Sequence, residues 1–121
     1  MPHVIVYELP KWPVCTQYER IKREIRAAVA SVSELSLNSE HVTVTLVVGS
    51  GETSGELILV EIHKLYSREE RTFEVRKKLA QAVSEKLLEL NPECRKVECE
   101  IHPIDPEFNY WDFSKKETKK K

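Results

Sequence analysis

The feature that most limits the fold of this chain is a strand–helix–strand order that occurs twice. In the first half, residues 3–9 and 41–48 are rich in β-branched side chains, which favours strands. They flank a segment whose apolar residues recur at helical spacing. In the second half, residues 56–63 and 96–102 flank a similar segment. The repetition concerns the order of elements, because the two halves show no obvious sequence identity.

Each helix is predicted to begin at a capping box, in which a hydroxyl and a carboxylate three residues apart satisfy free amides of the first turn. Thr16 and Glu19 form this pattern in the first half, and Ser67 and Glu70 form it in the second. The second helix is predicted to end at Asn91, because Pro92 cannot continue it.

These elements predict an α/β (α+β) fold, a duplicated β-α-β chain with a four-stranded sheet and two helices on one face. Each β-α-β unit has parallel strands joined by a right-handed crossover. The pseudo-repeats cover about residues 2–48 and 56–104 within a single domain, 1–114, and residues 115–121 form a flexible Lys-rich tail. The other face of the sheet would expose Val and Leu side chains, so we expect copies of the chain to cover it.

Composition narrows the classes of partner. The formal net charge of −1 gives no basic surplus for binding nucleic acid. No apolar run approaches the roughly 20 residues of a membrane span. Three cysteines without a secretory signal are typical of a reducing compartment, so we expect a soluble, cytoplasmic protein.

Neither a metal nor a cofactor is expected. The histidines, which are His3, His41, His63 and His102, do not show metal-ligand spacing with the cysteines. The segment from Gly49 to Gly55 holds every glycine, but it lacks a following Lys-Ser/Thr and a helix, so it is predicted to be a joint between the halves and not a phosphate-binding loop.

Two short segments carry a resemblance to a known family. The chain begins Met-Pro-His-Val-Ile-Val, and Glu100 to Pro103 leads into Phe108 and Asn109. Together with the duplicated unit and the chain length, these segments resemble the tautomerase superfamily, in particular the branch typified by 5-carboxymethyl-2-hydroxymuconate isomerase. Members of this size resemble two fused short tautomerase units and assemble as trimers. The resemblance therefore implies a homotrimer.

The same resemblance assigns a role to Pro2. In the family, a terminal proline amine, exposed once the initiator methionine is removed, shuttles a proton between the oxygen and carbon ends of an enol. The resemblance implies that Pro2 is the catalytic base here. The alternative is that Pro2 only begins an edge strand, where a missing N–H costs nothing. Retention of Met1 would leave an amide nitrogen and no base.

The resemblance also implies a small unsaturated keto or enol carboxylic acid as substrate, which needs cations to bind it. Lys64 is predicted to share a strand face with Ile62 and Tyr66. Tyr110 and Trp111 either close over the site or pack on a neighbouring subunit. The candidate substrate-binding residues are Lys64, Arg68, Arg71, Tyr66, Lys11, Tyr110 and Trp111.

Two other functions stay open at this point. The family pattern has arginines where this chain has Lys11 and Tyr66, and near the second strand, where this chain has Glu40, His41 and Thr43. These differences leave room for hydration or dehalogenation chemistry on the same fold. It equally leaves room for a non-enzymatic binding or structural module that kept the fold without the active site.

Overall fold

The computed structural model describes residues 2–12, 15–51, 54–66, 71–104, 111 and 113. Its strands and helices, in chain order, are β1 (His3–Leu9), α1 (Cys15–Ala30), β2 (Thr43–Val48), β3 (Leu57–Tyr66), α2 (Phe73–Leu90) and β4 (Lys96–Ile104). Short 3-10 turns at Ser33–Leu35 and Ser39–His41 connect α1 to β2. The predicted α+β order, with one four-stranded sheet and two helices, is confirmed.

The strands lie in the order β2-β1-β3-β4. Within each half the two strands are parallel, as a β-α-β crossover requires. The halves meet at the centre of the sheet, where β1 and β3 pair antiparallel with His3 opposite His63 and Tyr7 opposite Leu59. Because β1 and β3 run in opposite directions, the start of β1 and the end of β3 lie at the same end of the sheet.

Alternate side chains of the central strands face the helices and form the core. Val4 and Val6 of β1 and Val60 and Ile62 of β3 are fully buried. They pack with the apolar faces of the helices, which contribute Ile21, Ile25, Val29, Val75, Leu79, Val83 and Leu87. Cys99 of β4 packs against this core, as its alternation on the strand predicts. Full burial of each aliphatic side chain contributes about 1.5–3 kcal/mol.

The beginning of α2 differs from the prediction. The helix begins at Phe73, and its N-cap is Thr72, whose hydroxyl accepts a hydrogen bond from the Val75 amide at 3.4 Å. The prediction that the helix begins at Ser67 and Glu70 was therefore wrong, and those two residues lie outside the described part of the chain. A Ser/Thr followed by Glu is a short pattern, and here Thr72 lies next to the helical apolar residues, where a cap is needed.

The first helix also differs in its ends. Since α1 begins at Cys15, Thr16 is its second residue and not its N-cap. The helix ends at Ala30, five residues before Leu35, which the apolar spacing had included. Leu35 is nevertheless buried, because the following 3-10 turn carries it back to the core and ends at Ser36 in the left-handed region.

Two irregularities interrupt the alternation of β1 and β3. Glu8 and Lys64 have φ angles of 67° and 61°, and the strand register shifts at each of them. The extra residue lets Leu9 and Leu65 return to the core side, where they are 0% and 1% exposed. The prediction that Lys64 shares a face with Ile62 was wrong, because the bulge turns Lys64 to solvent while Ile62 stays buried.

The second face of the sheet is made by the other alternate side chains, which are half-buried or exposed. Leu57 and Val47 are 45% and 37% exposed, beside half-buried Ile5 and Leu59. We call this surface the open face. None of the helices in the described residues is long and apolar enough to cross a membrane.

Candidate active site

Pro2 lies at the end of the sheet where the central strand β1 begins. The residue is buried, and its carbonyl accepts a hydrogen bond from the Thr43 amide at 3.1 Å. That bond continues the parallel pairing of β1 with β2, in which His3 lies opposite Thr43. The start of the chain is therefore held against β2. Pro2 lies on the helix side of the sheet, as do the alternate residues Val4 and Val6, which are buried.

Lys64 lies at the same end of the sheet. His3, which follows Pro2, pairs with His63, which precedes Lys64, so Pro2 and Lys64 lie at the same end of this strand pair. The pKa of the His3 imidazole lies below its ordinary value, first because the ring is partly buried and then because the positive charge of Lys64 and the neighbouring His63 oppose protonation. The ammonium group of Lys64 is thus close enough to act on the residue next to Pro2.

Two arginines that were not among the predicted site residues line a cleft at the start of β2. The cleft has a volume of about 470 Å³ and is lined by Arg23, Arg26, Ser39, Glu40, Val42 and Thr43. Thr43 is the residue that donates to the Pro2 carbonyl, and the Arg26 Nε–H donates to the Val42 carbonyl at 3.2 Å. Arg23 and Arg26 are three residues apart, so they lie on the same side of α1. Two guanidinium groups in one cleft suit a carboxylate.

This pair could have been found in the sequence. Arg23 and Arg26 belong to the polar face of the predicted first helix. In a β-α-β unit the helix runs back along the sheet, so its last turns return to the end of the sheet where the first strand begins. The direction of the helix along the sheet was therefore the information needed. It makes basic residues late in such a helix candidates for a site at Pro2.

Arg71 precedes the N-cap of α2. It is half-buried, and its Nη2–H donates to the Leu35 carbonyl at 3.5 Å. This contact fixes the guanidinium group on the segment that follows α1. Arg71 is thus held by the protein itself.

Of the other predicted site residues, the structure describes Lys11, Trp111 and the backbone of Tyr66. Lys11 follows β1, whose seven residues separate it from Pro2 by roughly 20 Å. Trp111 is 69% exposed. Tyr66 ends β3, where its backbone pairs with Ile104. Arg68 and Tyr110 lie outside the described residues.

The chain has larger cavities at the other end of the sheet. One of about 1080 Å³ includes Lys11, Trp12, Tyr18 and Lys22 in its lining. The Trp12 and Tyr18 rings lie 5.0 Å apart, and the Tyr18 hydroxyl accepts from the Trp12 amide and donates to the Pro10 carbonyl. The Tyr18 hydroxyl thus holds the loop after β1. We place the candidate site at Pro2 because a terminal proline amine can act as a base, although the Arg23–Arg26 cleft is smaller than this cavity.

A second group of ionisable side chains lies on the open face. The Glu61 carboxylate accepts hydrogen bonds from the His63 Nε2 at 3.0 Å and from the Tyr7 hydroxyl at 3.1 Å. The pKa of the Glu61 carboxyl is lowered mainly by the His63 bond and further by Tyr7, while partial burial acts in the opposite direction. His102 stacks on His63, with ring centroids 4.6 Å apart and planes 7° from parallel.

The sequence signal for this group is the tripeptide Glu-Ile-His, which occurs at 61–63 and again at 100–102. The β3–β4 register places the two copies side by side, residue for residue. The spacing of histidines from cysteines gives no sign of this group, because its third member is a glutamate.

Comparison with known proteins places the fold. No protein-family model matches the sequence, and no characterised protein is significantly similar to it in sequence. Among solved structures, a macrophage migration inhibitory factor-like protein from Entamoeba histolytica is similar, with a TM-score of 0.69 at 14% identity over 93% of this chain and 96% of that one. N1, a member of the cis-3-chloroacrylic acid dehalogenase family, has a TM-score of 0.72 at 11% identity, over 93% and 81% of the chains.

A fused 4-OT that forms an asymmetric trimer is also similar. Its TM-score is 0.59 at 19% identity, over 84% of this chain and 86% of that one. The match covers at least 84% of this chain in each case, so the likeness extends over the whole duplicated unit and not one half. The chain has the tautomerase fold.

Proposed function

We propose that this protein is a cofactor-independent keto–enol tautomerase that uses the amine of Pro2 as general base once Met1 is removed. Its substrate is a small unsaturated keto or enol carboxylic acid. The observation that carries the proposal is the position of Pro2, which is buried in a tautomerase fold. It lies at the end of the sheet that holds Lys64, and its carbonyl accepts a bond from Thr43, which lines the Arg23–Arg26 cleft. The finer likeness to 5-carboxymethyl-2-hydroxymuconate isomerase stays part of this proposal.

The environment of Pro2 favours a neutral amine. Burial penalises the ammonium form of an amine, and nearby cations penalise it further, so both effects lower its pKa toward neutrality. Pro2 is buried, and Lys64 lies at the same end of the strand pair. An amine with a pKa near the working pH is both free to accept a proton and able to return it, as an isomerase requires.

The cations at this end of the sheet serve the substrate. Arg23 and Arg26 bind its carboxylate, and Lys64 stabilises the oxygen on which charge develops in the dienolate. Arg71, anchored on Leu35, borders the same end of the sheet. We keep Tyr66, Arg68, Tyr110 and Trp111 as candidate contacts. Lys11 joins the site only from a neighbouring subunit.

The open face supports the proposed homotrimer. Exposed Leu57 and Val47 and half-buried Ile5 and Leu59 form an apolar surface that a second copy can cover. The fused 4-OT with this fold forms a trimer. Sedimentation equilibrium of the purified protein tests this part independently of activity, and a monomer at micromolar concentration contradicts it.

The test of the chemistry is ketonisation of phenylenolpyruvate, followed by ultraviolet absorbance after mass spectrometry establishes that Met1 is absent. We expect turnover by the processed wild type and its loss in Pro2→Ala, which retains a primary amine with a different geometry and basicity. Pro10→Ala, at the other end of β1, is the matched control and should keep the activity. Processed wild type that fails to turn over several enol acids, or equal rates in both variants, contradicts the proposal.

Hydration or dehalogenation is a second candidate function, because Glu40 lines the cleft that contains Arg23 and Arg26. A carboxylate there can activate water while the arginines hold a substrate carboxylate. N1, which has a similar fold, belongs to a dehalogenase family. Chloride release from 3-chloroacrylate that is lost in Glu40→Gln supports this chemistry. No turnover with either substrate class favours the non-enzymatic binding or structural module.

A further inference from the structure

The open face carries an ordered array of metal-binding side chains. Glu61 and His63 are two residues apart on β3, so both point to the same face of the sheet. His102 is the direct cross-strand partner of His63 on β4. One potential ligand atom from each of these three residues lies within 4.8 Å of the other two. Two imidazoles and a carboxylate thus converge from two adjacent strands of the rigid sheet.

The separations approach those of a coordination shell. Ligand atoms that each lie about 2.0–2.1 Å from a tetrahedral ion are about 3.4 Å from one another. The Glu61 carboxylate and the His63 Nε2 are already 3.0 Å apart. Binding requires the His102 ring to tilt toward the other two ligands, and its side chain is 46% exposed in the single chain.

We propose that Glu61, His63 and His102 form a binding site for a divalent first-row transition ion of the zinc or cobalt class. Two imidazoles and one carboxylate are a donor set that such ions prefer, whereas Ca²⁺ and Mg²⁺ prefer oxygen ligands alone. Three protein ligands leave further coordination positions on the ion for water or another ligand.

The surroundings of the three ligands support the site. The Tyr7 hydroxyl donates to Glu61 at 3.1 Å, which orients the carboxylate in the manner of an outer-shell partner. The Glu100 carboxylate lies 3.1 Å from the His102 Nε2 and offers an additional anionic oxygen beside the ion. Two carboxylates balance the charge of a divalent cation.

The site is independent of the proposed Pro2 chemistry. Its ligands point to the open face, whereas Pro2 lies on the helix side of the same sheet. A single chain supplies all three ligands, so the site is complete within one protomer. Metal binding can therefore fail while ketonisation persists, and the reverse also holds.

Calorimetric titration of chelator-treated protein with Zn²⁺ tests the site. The experiment uses a Cys15→Ser background, because the exposed Cys15 thiol is an alternative zinc ligand. We expect one ion per chain and a loss of affinity greater than about tenfold in His102→Gln. His41→Gln is the matched control, since His41 lies outside the group and should bind zinc like the background protein. Circular dichroism checks that each variant is folded.

Substitution of Co²⁺ for Zn²⁺ identifies the donor atoms. A visible ligand-field spectrum that disappears in His102→Gln supports the assignment. Three results overturn it: no stoichiometric binding, equal affinity in His102→Gln and the background protein, or a near-ultraviolet thiolate charge-transfer band, which would assign the ion to Cys94 or Cys99. In the first case, Glu61, His63 and His102 form a hydrogen-bonded network only.

Discussion

Replacing Lys64 by glycine separates backbone strain from charge at the proposed active site. Lys64 has a φ of 61°, in the left-handed region that a side chain bearing Cβ disfavours. That conformation costs a non-glycine residue about 1–2 kcal/mol. Glycine avoids the cost but loses about 0.5–1 kcal/mol more backbone entropy on folding. We therefore expect Lys64→Gly to be about 0.5–1 kcal/mol more stable than Lys64→Ala, which retains Cβ and likewise lacks the charge.

Urea denaturation monitored by circular dichroism measures this difference as a change in midpoint at constant slope. The sign is the test, because at an ordinary strand position glycine is less stable than alanine by about 0.5–1 kcal/mol. Glu8, with a φ of 67° in the other bulge, provides an internal control. Glu8→Gly should likewise exceed Glu8→Ala in stability. A Lys64→Gly variant less stable than Lys64→Ala refutes the strain argument.

The same variants report on function. Both remove the Lys64 ammonium group, so both should lower kcat/KM for an enol acid by about tenfold to a hundredfold, the worth of a charged hydrogen bond. Lys64→Arg should retain most of the activity, and the Glu8 variants should retain all of it. Unchanged kcat/KM in Lys64→Ala removes Lys64 from the proposed site and leaves Pro2 to be judged on its own test.

Three further predictions concern stability and reactivity. Leu79→Ala should lower the free energy of unfolding by about 2–5 kcal/mol, because Leu79 is fully buried. Leu88→Ala, on the exposed side of the same helix, should lower it far less. Equal losses of unfolding free energy in the two variants, measured by denaturation, would contradict the packing. Glu34→Gln should lower the melting temperature at neutral pH, because the bond from Lys78 lowers the pKa of Glu34 and so stabilises the fold above the ordinary pKa of 4.5. The stability difference between wild type and Glu34→Gln should disappear as the pH falls through the lowered pKa. A difference that persists in acid would refute this prediction. Burial raises the pKa of the Cys99 thiol to about 11, so at pH 8 a thiol reagent should label exposed Cys15 and reach Cys99 only on unfolding; rapid labelling of Cys99 in folded Cys15→Ser would show that it is accessible.

Local sequence patterns were sufficient for the elements and the faces of the sheet. Strand β1 was predicted with the bounds that the structure shows, because its β-branched run is closed by Pro10. Helical spacing in the second half placed Val75, Leu79 and Val83 in the core, where they lie. The duplicated order then predicted two parallel strand pairs in one sheet, but not that they join through antiparallel β1 and β3.

What the sequence analysis missed depends on relations between distant residues. The bulge at Lys64 inserts one residue and leaves no mark in composition, yet it reverses the direction of every side chain after it. The grouping of Glu61 with His102 depends on the register of β4 against β3, which spans 41 positions in the chain. The cleft at Arg26 likewise requires knowing how far α1 continues before it ends.

Duplication also explains why the proposed chemistry occurs once in each chain. The Pro2 carbonyl accepts from Thr43 at the start of β2, and the Glu56 carbonyl accepts from Lys96 at the start of β4, so Glu56 is the counterpart of Pro2 in the second half. Glu56 is an internal residue whose nitrogen is an amide, and only Pro2 can present an amine. The second half therefore contributes to the proposed site through other groups, above all Lys64 at the end of β3. Because β1 and β3 pair antiparallel, the first half supplies the base while the second brings a cation to the same end of the sheet. Under this proposal a homotrimer has three sites and not six.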